Sequence, residues 1–267
     1  MKIIISRKGF DDSYGKIPSP ILPDGTLLSM PIPSEDDLSY SDLCYDGVTY
    51  SEILRQLSSK KQYEKYDKCH LDPDIRVNAR VNTVPNWEPI FGQTDKRESY
   101  LRNNQVGSGD LFLFFGMFRK TVGDISKGTL HYVKNAPSLH VIYGYMQVDK
   151  TITEDKNEFK KYDWHPHTQG ELLNSKNNTL YLPTKTLSFD KRHKGWGVFD
   201  YSEKRVLTLD RKKATWHEIP ALMPDNISGD RKNSAKGFGI YYQGVWQEIV
   251  LKENNISEEW AKSVFDL

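Results

Sequence analysis

The most apolar window of the chain is Leu111-Phe112-Leu113-Phe114-Phe115-Gly116-Met117-Phe118, and its apolarity is continuous rather than alternating. A run of that length with no polar face predicts a central strand covered on both sides. Gly107-Ser108-Gly109-Asp110 supplies a tight turn into it, and Arg119-Lys120 places two cations at its expected end, where ligands are commonly held. Ile3-Ile4-Ile5 is a shorter β-branched run that predicts a strand buried on both faces. It runs out into the polar, glycine-bearing Ser6-Arg7-Lys8-Gly9-Phe10-Asp11-Asp12-Ser13. Residues 140–148 predict a third strand, with a bulge or close approach at Gly144.

Weaker patterns complete the set. The prolines of Ile17-Pro18-Ser19-Pro20-Ile21-Leu22-Pro23 exclude a helix, and Asp24-Gly25 predicts a turn into a strand over residues 26–30. One helix is expected to start near Thr49, with Ile53, Leu54 and Leu57 on one face. A second is expected at Thr94 or Asp95, where Asp95 and Glu98 have capping-box spacing, and ends near Asn103. Residues 60–68 and 151–161 read as charged surface, 180–182 and 241–251 as strands, 198–201 with 205–209 as a hairpin, and 224–236 as a mobile loop. Ser257 is expected to cap a terminal helix over residues 257–266 that buries Trp260, Val264 and Phe265. With no repeat and no dividing linker, the expectation is a single α+β domain over residues 1–267. Its sheet is expected to be mixed, strongly twisted and partly barrel-like, with peripheral helices.

Composition narrows the class. Aromatics make up 12% of the chain, which suits a β-rich core. The 37 basic and 36 acidic side chains leave a formal charge of +1, so there is no overall basic excess of the kind that drives nonspecific nucleic-acid binding. Cys44 and Cys69 belong to no CxxC pair and make neither a disulfide scaffold nor a cysteine-based zinc site. Three isoleucines before Ser6-Arg7-Lys8 fall short of a signal peptide, and no run is long enough to span a membrane. The expectation is a cytoplasmic protein with no membrane partner. No Walker A, GxGxxG, GxSxG or HExxH motif is present, which argues against the common NTPase, dinucleotide-dependent, serine-hydrolase and zincin chemistries.

Three groups of residues could carry chemistry. Arg7-Lys8-Gly9 with Asp11 combines a planar donor fork, a point charge, close backbone approach and a carboxylate, as a phosphate or sugar site would. A charged strand exit paired with itself explains the same residues. His70-x-Asp72-x-Asp74 and His165-Pro166-His167 could each aim alternate side chains at one point, for acid–base work or for a metal, and Asp72-Pro73-Asp74 is equally an ordinary turn. These residues are assigned here to acid–base and substrate roles, and no metal ligand set is assigned. Among the aromatics, most of which should be core, Trp196 in Lys194-Gly195-Trp196-Gly197 is the best candidate for stacking on a base.

Ordered motifs then point to a family. Ser6-Arg7-Lys8-Gly9-Phe10-Asp11 with Pro18-Ser19-Pro20-Ile21-Leu22-Pro23-Asp24-Gly25, His70-Leu71-Asp72-Pro73-Asp74 with Phe91-Gly92-Gln93, and Gly109-Asp110 leading to Phe118-Arg119 resemble the nucleotide modification associated domain 3 family, described as DNA base hypermodification proteins of bacteria and phages. Met117 stands where the family pattern leads one to expect tryptophan. The resemblance promotes Arg7, Lys8, Asp11, His70, Asp72, Asp74, Gln93, Asp110, Arg119 and His167 over the other polar residues, and implies a nucleotide or nucleic acid as partner. It names no reaction and no cofactor. The strand pattern is also reminiscent of PUA-like and ASCH-like barrels. The roles expected are phosphate binding by Arg7, Lys8 and Arg119, proton abstraction by Asp11 or Asp72, and acid, base or ligand work by His70 or His167. Gln93, Asp110 and Trp196 would contact substrate. The alternatives are a noncatalytic PUA-like reader of modified bases and a phage–host conflict protein that sequesters a small nucleotide.

Overall fold

Three consecutive isoleucines leave no polar face, and they form β1 (Ile3–Arg7) with both faces covered. The computed structural model describes residues 1–58, 67–153, 155–236 and 239–266. After β1 come β2 (Ser19–Ile21), α1 (Tyr50–Leu57), β3 (Phe91–Gln93), α2 (Asp95–Asn103) and the long central β4 (Leu111–Val122). The chain continues through β5 (His131–Tyr132), β6 (Leu139–Thr153), β7 (Thr179–Pro183), β8 (Trp196–Val198), β9 (Glu248–Val250) and α3 (Asn255–Ser263).

These nine strands make one mixed sheet with the main path β9-β1-β4-β6-β7-β3, while β2 and β5 add to β4 and β8 adds to β6. The pairs β1/β4 and β2/β4 are parallel; β9/β1, β4/β6, β6/β7 and β7/β3 are antiparallel. Alternation along the central pair feeds two cores. Ile3, Ile5, Leu111, Leu113 and Phe115 pack with Trp216, Leu222, Val264 and Phe265, whereas Ile4, Phe112, Phe114 and Phe118 pack with Phe91, Tyr100 and Tyr181. Full burial of such a side chain contributes about 1.5–3 kcal/mol, so this pair of strands anchors the domain.

The sheet curls strongly into a half-barrel. Strand twist accumulates across it, and β6 carries register shifts between Ile142 and Gly144 and between Val148 and Lys150, which bend it. The two outermost strands of the path are thereby brought together. Gln93 Nε2 at the end of β3 donates to Glu248 Oε1 in β9 at 2.6 Å, and Val250 N donates to Tyr100 Oη of α2 at 3.1 Å. Among the described residues no helix is long and apolar enough to cross a membrane.

Several local expectations are met. Thr49 and Glu52 make a reciprocal capping box at the start of α1, which buries Ile53, Leu54 and Leu57. Others are corrected. Residues 26–30 are largely buried, yet they make isolated bridges rather than a strand, because Met30 N is taken by Ser19 Oγ and Met30 O by Phe10 N. The anticipated hairpin at 198–209 is absent: β8 pairs with β6, and a 3-10 turn at Glu203–Arg205 leads to separate bridges at Val206 and Thr208. The stretch 151–161 is not all surface, since Ile152 and Phe159 are buried. Residues 224–236 hold a 3-10 turn and a strand (Ser234–Lys236), with Asn226 Nδ2 bonded to Ala221 O and Ser257 Oγ. The predicted strand at 241–251 splits into a short piece at Gly239–Tyr241 and β9. The cap of α3 is Asn254, whose side chain accepts from Ser257 N, so Ser257 is the residue capped. Of the charged run 60–68, residues 60–66 lie outside the described residues.

Helix α2 starts after Thr94 without a side-chain cap, because Glu98 turns inward instead of back to the helix start. Its carboxylate is 1% exposed, accepts the Tyr181 hydroxyl at 2.8 Å and pairs with Arg102 at 3.1 Å. Burial raises its pKa from 4.5 to about 7, over the opposing bonds from Tyr181, Thr179 and Arg102. Between those values the native state holds a proton that the unfolded chain has released, so stability should fall as pH rises through the window. On the order of 2–3 kcal/mol is expected between pH 4.5 and 7.5. Urea denaturation across that range should show the loss in the wild type and a flatter profile in Glu98→Gln; parallel profiles would remove Glu98 as the cause.

Candidate functional site

Strand β1 ends at Arg7, and Lys8 continues its ladder by donating its backbone N–H to Phe115 O at 2.8 Å. Its side chain therefore turns into the mouth of the half-barrel. There Lys8 Nζ lies 3.6 Å from Asp72 Oδ2, 3.8 Å from Glu248 Oε1 and 4.2 Å from the centre of the Phe91 ring, with 5% of the side chain exposed. Gly9 follows with φ +73°, and a Cβ there would meet Ser29 Oγ at 2.6 Å and Met30 O at 2.9 Å, so only glycine lets the chain turn away. Asp11 then closes a tight loop: Oδ1 accepts from Ser13 N and Tyr14 N at 2.7 Å, and Oδ2 is 3.5 Å from Arg7 Nη2.

Asp72 comes from the turn after the two-residue strand Cys69–His70. Oδ1 accepts the Gly92 N–H at 2.6 Å, which ties the turn to β3 and leaves Oδ2 toward Lys8 and toward His167 Nε2 at 4.0 Å. His70 Nδ1 bonds Asp36 Oδ2 at 2.5 Å. His167 lies in the 3-10 turn Pro166–Thr168, where Nδ1 meets Asn178 Oδ1 at 3.0 Å and Asn178 Nδ2 donates back to His167 O at 2.7 Å. His165 accepts the His167 N–H on Nδ1 at 3.3 Å and holds Nε2 3.7 Å from Asp72 Oδ1.

These groups surround a cleft of about 180 Å³ that Arg7, Lys8, Gly9, Asp11, His70, Asp72, Gln93, Arg97 and His167 help to line. Burial dominates its electrostatics. It pushes the Lys8 ammonium down against the pull of Asp72 and Glu248, and pushes the Glu248 carboxyl up. It also lowers His165 well below the usual imidazole range and His167 to about 4. Both imidazoles are therefore neutral near pH 7; His165 spends its lone pair on the His167 N–H, and His167 keeps one for a proton or a ligand. At Asp36, burial raises the carboxyl, but the hydrogen bond and charge of His70 outweigh it and hold the group below its usual value.

A family model for nucleotide modification associated domain 3 matches residues 2–252. The chain belongs to that family. The family's name implies a role in nucleotide modification. No curated protein sequence and no solved structure matches the chain.

Of the residues that the resemblance to this family promotes, Arg7, Lys8, Asp11, His70, Asp72, Gln93 and His167 all line the cleft. The other three, and Trp196, are placed elsewhere. Asp74 is fully buried away from it, bonded to Arg80 and to Trp87 Nε1. Asp110 braces the turn before β4, accepting from Lys2 N at 2.7 Å and Gly107 N at 3.0 Å. Arg119 is not at a strand end, since β4 runs on to Val122, and its guanidinium packs on Tyr132 and donates to Val133 O at 3.3 Å. Trp196 is half-buried in β8 rather than in a free loop, with its ring edge-to-face against Trp87 at 5.8 Å.

Four further residues shape the site. Asp36 sits in the acidic run Ser34-Glu35-Asp36-Asp37, which reads as surface, and nothing in Asn177-Asn178 points to a role. Arg97 reads as the exposed face of a helix. Glu248 had a signal: a lone carboxylate in an otherwise apolar strand window is expensive to bury unless it is paired.

Proposed function

We propose that this protein modifies a nucleotide or a nucleobase bound in the cleft between β1, β3 and the His70 turn. The observation that carries the reading is the convergence of seven polar side chains from four separated parts of the chain on one cleft. Arg7 and Arg97 on its rim would hold phosphate, Arg7 being oriented by Asp11. Because Asp11 Oδ1 already accepts two backbone N–H groups, the proton-handling role falls to Asp72, with His70 and His167 facing it. Gln93 Nε2 is committed to Glu248, which makes Gln93 a positioning residue for the Lys8 carboxylate pair. At about 180 Å³ the cleft is smaller than the roughly 300–1,000 Å³ that encloses a whole drug-sized ligand, so a base or a phosphate group fits and the rest of the substrate stays outside.

The test is incubation of the purified protein with canonical and modified nucleotides and duplexes, read by mass change and thermal shift together. A product of altered mass supports the reading. Tight binding without product would favour sequestration or reading of a modified base, and neither binding nor product would sink the proposal. In the Arg7→Ala/Arg97→Ala variant the dissociation constant for the nucleotide found should rise at least about 100-fold, since each of the two charge-assisted hydrogen bonds is worth about 1.5–3 kcal/mol. Its melting temperature should stay close to that of the wild type, because both side chains face the cleft mouth.

A further inference from the structure

We infer that His70, Asp72 and His167 form a binding site for one divalent transition-metal ion that takes imidazole ligands, zinc or ferrous iron. As the reactive centre of a nucleotide-modifying protein the site rests on the reading above, with the difference that an ion held by Asp72, His70 and His167 would take those three out of direct proton transfer, whereas metal binding is measured with no nucleotide present. One potential ligand atom from each of the three residues lies within 4.8 Å of the others, and among the described residues this is the group of histidine and carboxylate side chains so placed. Metal bonds of about 2.0–2.2 Å hold ligand atoms no more than about 4.4 Å apart, so the three close on an ion with side-chain movement on the order of an ångström.

Proximity alone would say little, but each of the three residues is half committed in the same way. His70 gives Nδ1 to Asp36, Asp72 gives Oδ1 to the Gly92 N–H, and His167 gives Nδ1 to Asn178. What remains is one Nε2, one Oδ2 and one Nε2. Fixing the far atom of each ligand by a carboxylate, an amide or the backbone is the arrangement that orients metal-binding histidines. Two imidazoles and one carboxylate suit zinc or iron better than magnesium or calcium, and three protein ligands beside an open cleft leave positions for substrate or water.

His165 fits as a supporting group rather than a ligand. Its Nδ1 accepts a backbone N–H, so Nε2 carries the proton. That buried N–H has no hydrogen-bond partner and faces Asp72 Oδ1 at 3.7 Å. Lys8 Nζ, 3.6 Å from Asp72 Oδ2, competes with the ion for that oxygen, and Glu248 at 3.8 Å is the carboxylate it falls back on.

The test uses the full chain after chelator treatment and dialysis, titrated separately with zinc, anaerobic ferrous iron, cobalt(II) as a spectroscopic probe, and magnesium as a control. One equivalent of zinc, iron or cobalt should bind at micromolar concentration or below, with visible cobalt bands of low-symmetry coordination and no comparable binding of magnesium. His70→Ala/His167→Ala should weaken binding at least 100-fold. Asn178→Ala, a change outside the ligand set, should weaken it about 10- to 100-fold. Circular dichroism and melting of each variant separate lost binding from lost folding. If the chelator-treated wild-type protein binds no transition metal at tens of micromolar, or if the double histidine variant binds it as well as the wild type does, the inference fails. Metal binding without any nucleotide chemistry would leave it standing and remove the functional reading instead.

Discussion

Replacing Lys8 by methionine is expected to cost about 3–5 kcal/mol of stability, the usual consequence of deleting one partner of a buried ion pair. Methionine keeps the length and apolar body of the stem, so the contact with the Phe91 ring loses only its charge. What changes is that Asp72 and Glu248, both at most 3% exposed, lose the ammonium that lies between them. Glu248 keeps Gln93 and, at 3.6 Å, Arg231; Asp72 keeps the Gly92 N–H. Urea denaturation near pH 7 measures the loss. The double variant Lys8→Met/Glu248→Gln should recover part of it, because one of the two carboxylates left without the ammonium is neutralised, and the two changes will not add. A cost below about 1 kcal/mol would mean that water reaches the pair and that the cleft is wetter than its burial implies.

Gly92→Ala should disable the site while sparing most of the fold. A Cβ at position 92 would lie 2.4 Å from Cγ and Cδ2 of His167 and 2.8 Å from its Nδ1. The ring cannot swing aside freely, since Asn178 holds Nδ1 and the rings of His70 and His165 stand 5.2 and 5.6 Å away. Nor can the strand retreat without disturbing the Gly92–Leu180 register of β3 on β7 and the N–H that Gly92 gives to Asp72. Overpacking of this kind costs about 1–3 kcal/mol, and a displacement of about 1 Å in a catalytic group can cost on the order of 100-fold in rate. The imidazole resonances of His167 should shift in nitrogen-correlated spectra while those of exposed His131 stay in place. An unshifted His167 together with full turnover would dissociate the ring from the chemistry.

Patterns that depend on near neighbours were legible along the chain. Three isoleucines and the Leu111 to Phe118 run need only their own apolarity to demand burial on both faces, and Thr49 with Glu52 needs only its spacing to cap a helix. Patterns whose partners are distant were misread where a second use competed for the same groups. The Asp95 and Glu98 spacing suits a capping box, but Tyr181, 83 positions away, and Arg102 draw Glu98 inward. Residues 26–30 have strand composition, but Ser19 and Phe10 take the backbone groups of Met30 that a ladder would use. Asp110 precedes the central strand and Arg119 lies within it rather than at the end its motif suggests, and both are spent on the scaffold.

The polymer alone therefore determined the α+β character of the domain, its central strands and the identity of the polar segments that could hold chemistry, since each follows from composition and short-range periodicity. Only the tertiary structure decided which of those segments meet. Curling of the sheet carries β3 round to β9 until Gln93 touches Glu248, 155 residues away, and that closure sets Lys8, Asp72 and the two histidines facing one another. Curvature is the accumulated result of twist and of register shifts in β6, a property of the whole sheet that no single window of sequence encodes.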